Sequence, residues 1–176
     1  MAVGEVRPGY ELWRPNREKP ESITMKWVIV LLLAATAAIA AVVTICGWPL
    51  LSGEGAMGVV CILFAVVYAL FALRVARWGR GVLPVAAALS MILAIFCAVG
   101  ANSWFSRDKE GFSEAALPSS VLGALVVILG LLQLVVIAAA LYGFNQEWHV
   151  EEERPIGSGE DYGAGATPEG GAPAPA

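Results

Sequence analysis

Trp27 to Cys46 reads WVIVLLLAATAAIAAVVTIC, twenty residues without a charge. A bilayer's hydrocarbon core is filled by about 20 apolar residues in a helix. Three more runs share this character: Met57 to Leu73, closed by Arg74; Val82 to Ala101; and Leu117 to Phe144, long enough to tilt or to begin in the interface. None shows the period-two alternation of a barrel strand. Lipid offers no partner to an unpaired backbone group, so the expected spans, 27–46, 57–73, 82–101 and 117–144, must be helical. The expectation is an all-α integral membrane bundle of four antiparallel helices, running up-down-up-down with short connections.

The bulk composition agrees. Hydrophobic residues make up 58% of the 176, against about 45–50% in soluble domains, and the mean hydropathy is +0.70. The net charge of −4 is an average over two kinds of sequence, because charged residues crowd into the segments between the apolar runs. The basic residues form no patch with interleaved aromatics, which excludes a nucleic-acid partner. Rich Ala, Gly and Val usage, with Arg favoured over Lys, points to a high-GC bacterial source.

Lys and Arg in short loops set orientation. Arg7, Arg14, Arg17, Lys19 and Lys26 precede the first run, Arg74, Arg77 and Arg80 lie between the second and third, and Arg154 follows the fourth. Only Arg107 and Lys109 fall on the other side. Both termini are therefore expected in the cytosol, in a bacterial cytoplasmic membrane. Tryptophan, which prefers the headgroup level, agrees: Trp27, Trp78 and Trp148 fall near the inner boundary, Trp48 and Trp104 near the outer. The first run is too long for a signal-peptide core, and Glu5, Glu11, Glu18 and Glu21 in its leader count against cleavage.

Three regions follow: a cytoplasmic arm (1–25), a four-helix transmembrane domain (26–146) and a cytoplasmic, disordered Gly/Ala/Pro-rich tail (147–176). In the arm, Pro8, Pro15 and Pro20 discourage helix and favour extended or turn structure. Tyr10 and Trp13 make it a docking peptide or, more simply, a loose polar leader. Gly157 to Ala176 has too little apolar bulk to offset its ordering entropy, which leaves Glu160 and Asp161 as solvated charges. In the outer loop, Arg107 to Gly111 reads as a turn, Ser113 is placed to cap a short helix over Glu114 to Leu117, and Pro118 suits the first turn of the fourth span.

No Asp, Glu, Lys, Arg or His lies mid-span. Intramembrane charge marks ion and proton pathways, so a coupled pump is disfavoured. Small multidrug exporters need a carboxylate in their first helix, and four-helix cytochromes need paired intramembrane histidines; here the only histidine is His149. No catalytic residue, cofactor or metal ligand is assigned. Cys46, Cys61 and Cys97 share the outer quarter of the membrane. They read first as small buried thiols and second as a disulfide pair among an odd three; a thiol redox role lacks a C-x-x-C. Thr36, Tyr68, Ser90 and Gln133 each fall near the middle of their own run. They form a candidate midplane polar cluster, either a site for a small polar or lipidic ligand or interhelical hydrogen bonds. Small residues at every fourth position, Ala86, Ser90, Ala94 and Ala98, continued by Asn102, predict that the third span is the most enclosed.

The reading that follows is a non-enzymatic accessory or scaffold subunit binding other membrane proteins. A small transporter or lipid-binding bundle built on the midplane cluster is the first alternative, and a thiol redox protein the second. Membrane lipids, other membrane proteins or further copies of the chain are the expected partners.

Overall fold

The computed structural model describes residues 8–53 and 55–156. It is mostly helical. In chain order the elements are β1 (Tyr10–Trp13), α1 (Pro15–Glu18), α2 (Pro20–Cys46), α3 (Trp48–Ser52), α4 (Met57–Ala76), a 3-10 turn (Arg80–Val82), α5 (Leu83–Phe105), α6 (Ser119–Asn145) and β2 (Glu152–Pro155). They fall into two compact units, one of residues 16–148 and one formed by the two chain ends.

In the larger unit, four helices are long and apolar enough to span a membrane. The 20 residues of α4 extend about 30 Å, the thickness of a hydrocarbon core, and the 27 residues of α2 and of α6 about 40 Å. Their outward faces are as apolar as their inward ones. Val99 is 77% exposed and Ile45 73%, and an apolar surface this extensive does not suit water. Helices hydrophobic all round belong in lipid.

α2 is the hub, packing on α4 along one side and α6 along another, and α6 packs closely on α5. The backbones of α4 and α5 stay apart over most of their length. Leu33, Tyr68, Ala86 and Val136, all fully buried, represent each helix in the core. α5 is not the most enclosed helix, contrary to the small-residue pattern: it buries six residues and α6 buries ten. Residues four apart rotate about 40° per step around a helix of 3.6 residues per turn. Ala86 and Ser90 therefore face the core, Ala94 lies at its edge and Ala98 is exposed.

Three expectations about the connections are corrected. Pro15 and Pro20 do not prevent helix; each starts one, where its missing N–H has no partner to lose. α2 accordingly begins two turns before Trp27. Glu114 to Leu117 form turns and bends, and α6 starts at Ser119 with Pro118 as its N-cap. The segment is held instead by the Ala116 N–H, which donates to the Cys46 carbonyl at 3.0 Å.

The second unit shows that the chain is not purely α-helical. β1 pairs antiparallel with β2 in the register Tyr10↔Pro155, Glu11↔Arg154, Leu12↔Glu153 and Trp13↔Glu152. Arg154 bonds Glu11 at 2.6 Å and lies 5.2 Å from the Trp13 ring centroid. Arg14 pairs with Glu151, and the Ile156 N–H donates to the Gly9 carbonyl at 3.0 Å. From Tyr10 onward the arm is thus a short strand followed by helix rather than a loose leader. The tail, expected to be disordered from 147, is structured through Ile156 because β1 gives its backbone a partner. The expectation for 157–176 lies outside the described residues.

Candidate functional site

Thr36, Tyr68, Ser90 and Gln133 are all fully buried. They form two hydrogen-bonded pairs, each across a helix boundary. Gln133 Nε2 on α6 donates to Thr36 Oγ1 on α2 at 3.3 Å and to the Leu129 carbonyl at 3.0 Å. The Thr36 hydroxyl donates in turn to the Leu32 carbonyl at 2.9 Å, the back-bond to the residue four earlier that helical threonines make. Tyr68 on α4 and Ser90 on α5 bring their hydroxyls to 2.9 Å. Gln133 Oε1 is buried without a partner. None of these four residues lines either cavity described below.

The first cavity, about 260 Å³, occupies the gap between α4 and α5 near the Trp104 end of the bundle. Ala40, Val43 and Thr44 of α2 and Val126 and Leu129 of α6 close its back. Phe64 and Phe96 meet edge to face across it, 6.1 Å between centroids. Leu50 and Leu51 of α3 and Phe112 cap it, with Trp104 edge-on to Phe112 at 6.5 Å. Cys61 and Cys97 lie in its wall and Cys46 does not. All three cysteines are free thiols, Cys97 buried and the other two half-buried.

The second cavity is an open groove of about 560 Å³ on the outward face between α5 and α6. Ala94, Ala98, Ala101 and Gly130 form its floor, with Met91, Ile95, Leu131 and Leu134 on its flanks. This is where the small-residue row of α5 leaves the core.

Aromatic rings against glycines fix the Trp104 end. A Cβ on Gly47 would lie 2.7 Å from the Trp104 ring, and one on Gly123 2.7 Å from the Phe105 ring. At the opposite end Arg17 and Arg80, read in the sequence only as charges, reach backbone carbonyls together with Asn16, which no sequence signal singled out. Arg80 Nε donates to the Phe144 carbonyl at 2.9 Å, Arg17 Nε to the Trp148 carbonyl at 3.0 Å, and Asn16 Nδ2 to the Glu147 carbonyl at 3.1 Å. These groups satisfy carbonyls at and just past the C-terminus of α6, where the helix dipole favours cations. Lys26 Nζ sits 4.6 Å from the Trp27 ring centroid and 4.4 Å from that of Trp78, and Trp78 stands edge-on to the fully buried Trp148 at 5.3 Å. Trp27, Trp78 and Trp148 signalled a boundary in the sequence; nothing there paired them.

Among the described residues, no three His, Cys, Asp or Glu side chains gather as a metal site would require. What the arrangement offers is apolar recesses between helices long and apolar enough to span a membrane. Comparison with protein families, with curated proteins and with solved structures gave no match.

Proposed function

We propose that the chain is a non-enzymatic accessory subunit of a bacterial cytoplasmic membrane, which binds other membrane proteins through its helix faces. In this reading residues 26–146 form a bundle of four antiparallel spans, up-down-up-down, with both termini cytosolic. The basic bias and the tryptophan levels support it, as does the meeting of Gly47 with Trp104 and of Trp78 with Trp148 at opposite ends of the helices.

The observation that carries the binding role is the groove between α5 and α6. Helices associate in lipid by close packing, and small residues let two backbones approach. Ala94, Ala98, Ala101 and Gly130 are such residues, grouped on an outward face with larger apolar flanks. A transmembrane helix of another protein is the occupant this shape suits. The midplane polar groups are spent largely on each other, so they serve as interhelical hydrogen bonds rather than as a ligand site.

The test is a photo-crosslinking residue at Ala98 in native membranes, followed by mild detergent extraction. A discrete partner that crosslinks at position 98, and is lost when Gly130→Trp fills the same groove, supports the reading. A monomer with no adduct overturns it, and a dimer of this chain replaces the foreign partner with a second copy. Impermeant thiol labelling of single cysteines added at the two termini tests orientation, with labelling expected only after the membrane is opened.

A further inference from the structure

We propose that Lys26 and Ser22, at the Trp148 end of the bundle, bind the phosphate of an anionic phospholipid. This rests on the membrane-spanning reading but not on which end faces the cytosol. Lys26 is 8% exposed and Ser22 3%. They are four residues apart on α2, one turn along and about 40° around, so they share a face. Neither side chain has a hydrogen bond or an ion pair among the described residues. Neither polar atom is sealed off, as Gln133 Oε1 is, so an incoming anion can reach both. The Lys26 ammonium lies between two indoles, 4.6 Å from the Trp27 ring centroid and 4.4 Å from that of Trp78. Ring faces attract a cation, but they carry no net charge and offer no lone pair to its three N–H groups. A charge removed from water is costly until it is both paired and hydrogen-bonded. The nearby carboxylates do not do this. Glu21 is five residues from Lys26, about 140° around α2, Glu18 belongs to α1, and both are exposed, as is Glu147.

The backbone supplies an independent sign that this arrangement is built. Trp78 has a φ of +63°, a left-handed conformation that a bulky side chain rarely adopts. Its N–H donates to the Val75 carbonyl and the Gly79 N–H to the Arg74 carbonyl, both at 2.8 Å. That is the helix-ending turn in which glycine usually takes the left-handed place. Strain of this kind persists only where its surroundings hold it, and it gathers at ligand sites. Here it sets the Trp78 ring against Lys26, edge-on to the buried Trp148. The Arg17 guanidinium, 5.7 Å from the same ring centroid, adds a second positive charge. A lipid suits the site better than a soluble phosphate. Lys26 is the last charged residue before the apolar run, the level of the headgroups. Trp27 is 50% exposed, with Ile23 and Val28 exposed on the same helix, which gives acyl chains an apolar surface beside the cation. A choline headgroup would bring a further cation to a site that already holds two, so an anionic headgroup is preferred.

The experiment uses the full chain, delipidated in an uncharged detergent. It is titrated with phosphatidylglycerol, with phosphatidylcholine of the same acyl chains, or with inorganic phosphate. Native mass spectrometry counts what is retained, and peptide mapping follows acetylation of Lys26 by an N-hydroxysuccinimide ester. The expected result is a retained phosphatidylglycerol that slows Lys26 acetylation, while phosphatidylcholine and inorganic phosphate protect it little. Lys26→Gln should weaken phosphatidylglycerol about tenfold and Ser22→Ala about threefold. Lys19→Gln, which removes an exposed charge at the same end, should weaken it about twofold. Equal losses in Lys26→Gln and Lys19→Gln overturn the proposal, because general attraction to this end would then suffice. Equal retention of the two lipids overturns it too, and so does protection of Lys26 by inorganic phosphate as complete as by the lipid. If Lys26→Gln does not fold, Ser22→Ala and the protection of Lys26 in the unmodified chain decide the matter. Failure of the membrane reading itself would show separately, as protein that stays dispersed once detergent is removed.

Discussion

The hydroxyls of Tyr68 and Ser90, 2.9 Å apart and fully buried, tie α4 to α5 where the two backbones scarcely approach each other. Immediately along from this tie the helices part to form the cleft, so the bond marks its inner limit. Tyr68→Phe and Ser90→Ala should each destabilise the bundle, and the double variant should cost less than their sum. A coupling of about 0.6 kcal/mol, and no more than about 1.7, is expected from bonds of this kind in membranes. Unfolding of the four chains in mixed micelles measures it; additivity would show that the hydroxyls do not interact.

Gln133 presents the opposite balance. Its amide donates twice, but Oε1 is buried without a donor. Leaving a buried polar atom unpaired costs about 1–3 kcal/mol, whereas replacing both members of a pair by apolar groups of like shape is nearly neutral. Gln133→Leu with Thr36→Val should therefore unfold within about 1 kcal/mol of the parent, on either side of it. A loss of several kcal/mol in the same unfolding assay would mean that Oε1 has a partner in the membrane.

Gly123 is where α6 accepts the ring of Phe105 against its backbone. A methyl group there meets the ring at 2.7 Å, and overpacking of this kind costs about 1–3 kcal/mol. Gly123→Ala should lower thermal stability, and Phe105→Leu in the same chain should recover part of the loss. Gly81, with nothing within 4 Å of its Cβ position, is the control, where alanine should change little.

Arg80 reaches back to the Phe144 carbonyl while its guanidinium lies 3.9 Å from the Phe144 ring centroid. Arg80→Gln should fray the last turn of α6, with faster hydrogen exchange confined to residues near 141–145 and a cost of about 0.5–2 kcal/mol. An unchanged exchange pattern would show that the Arg80 contact does not hold this helix end.

The β1–β2 ribbon can be tested through Glu11 and Arg154. Glu11→Arg should open it, and Glu11→Arg with Arg154→Glu should close it again, read as exchange protection of Leu12 and Glu153. The effect is small, about 0.2–1 kcal/mol for an exposed pair. A ribbon that stays protected in the single variant would be held by its backbone bonds alone.

The solvent was legible in the sequence, because four uncharged runs of this length have no stable place in water. Depth was legible too: Thr36, Tyr68, Ser90 and Gln133 each lie near the middle of a run, and position along a helix is a matter of counting. Rotation about the helix axis was not. Apolar residues on all sides remove the amphipathic stripe that tells which face looks inward, so the pairing of Thr36 with Gln133 and of Tyr68 with Ser90, and the exit of Ala98 from the core, had to come from packing. The same holds for Arg17 and Arg80, whose charge was plain while their carbonyl partners lay at the far end of α6.

Composition, acting locally along the chain, determined that four helices are long and apolar enough to cross a membrane. The tertiary structure decided what no local signal carries. Four-residue strands over 130 residues apart in sequence find each other only once folded, and the gap between α4 and α5 exists because α2 and α6 hold those helices at a spacing their own side chains do not fill.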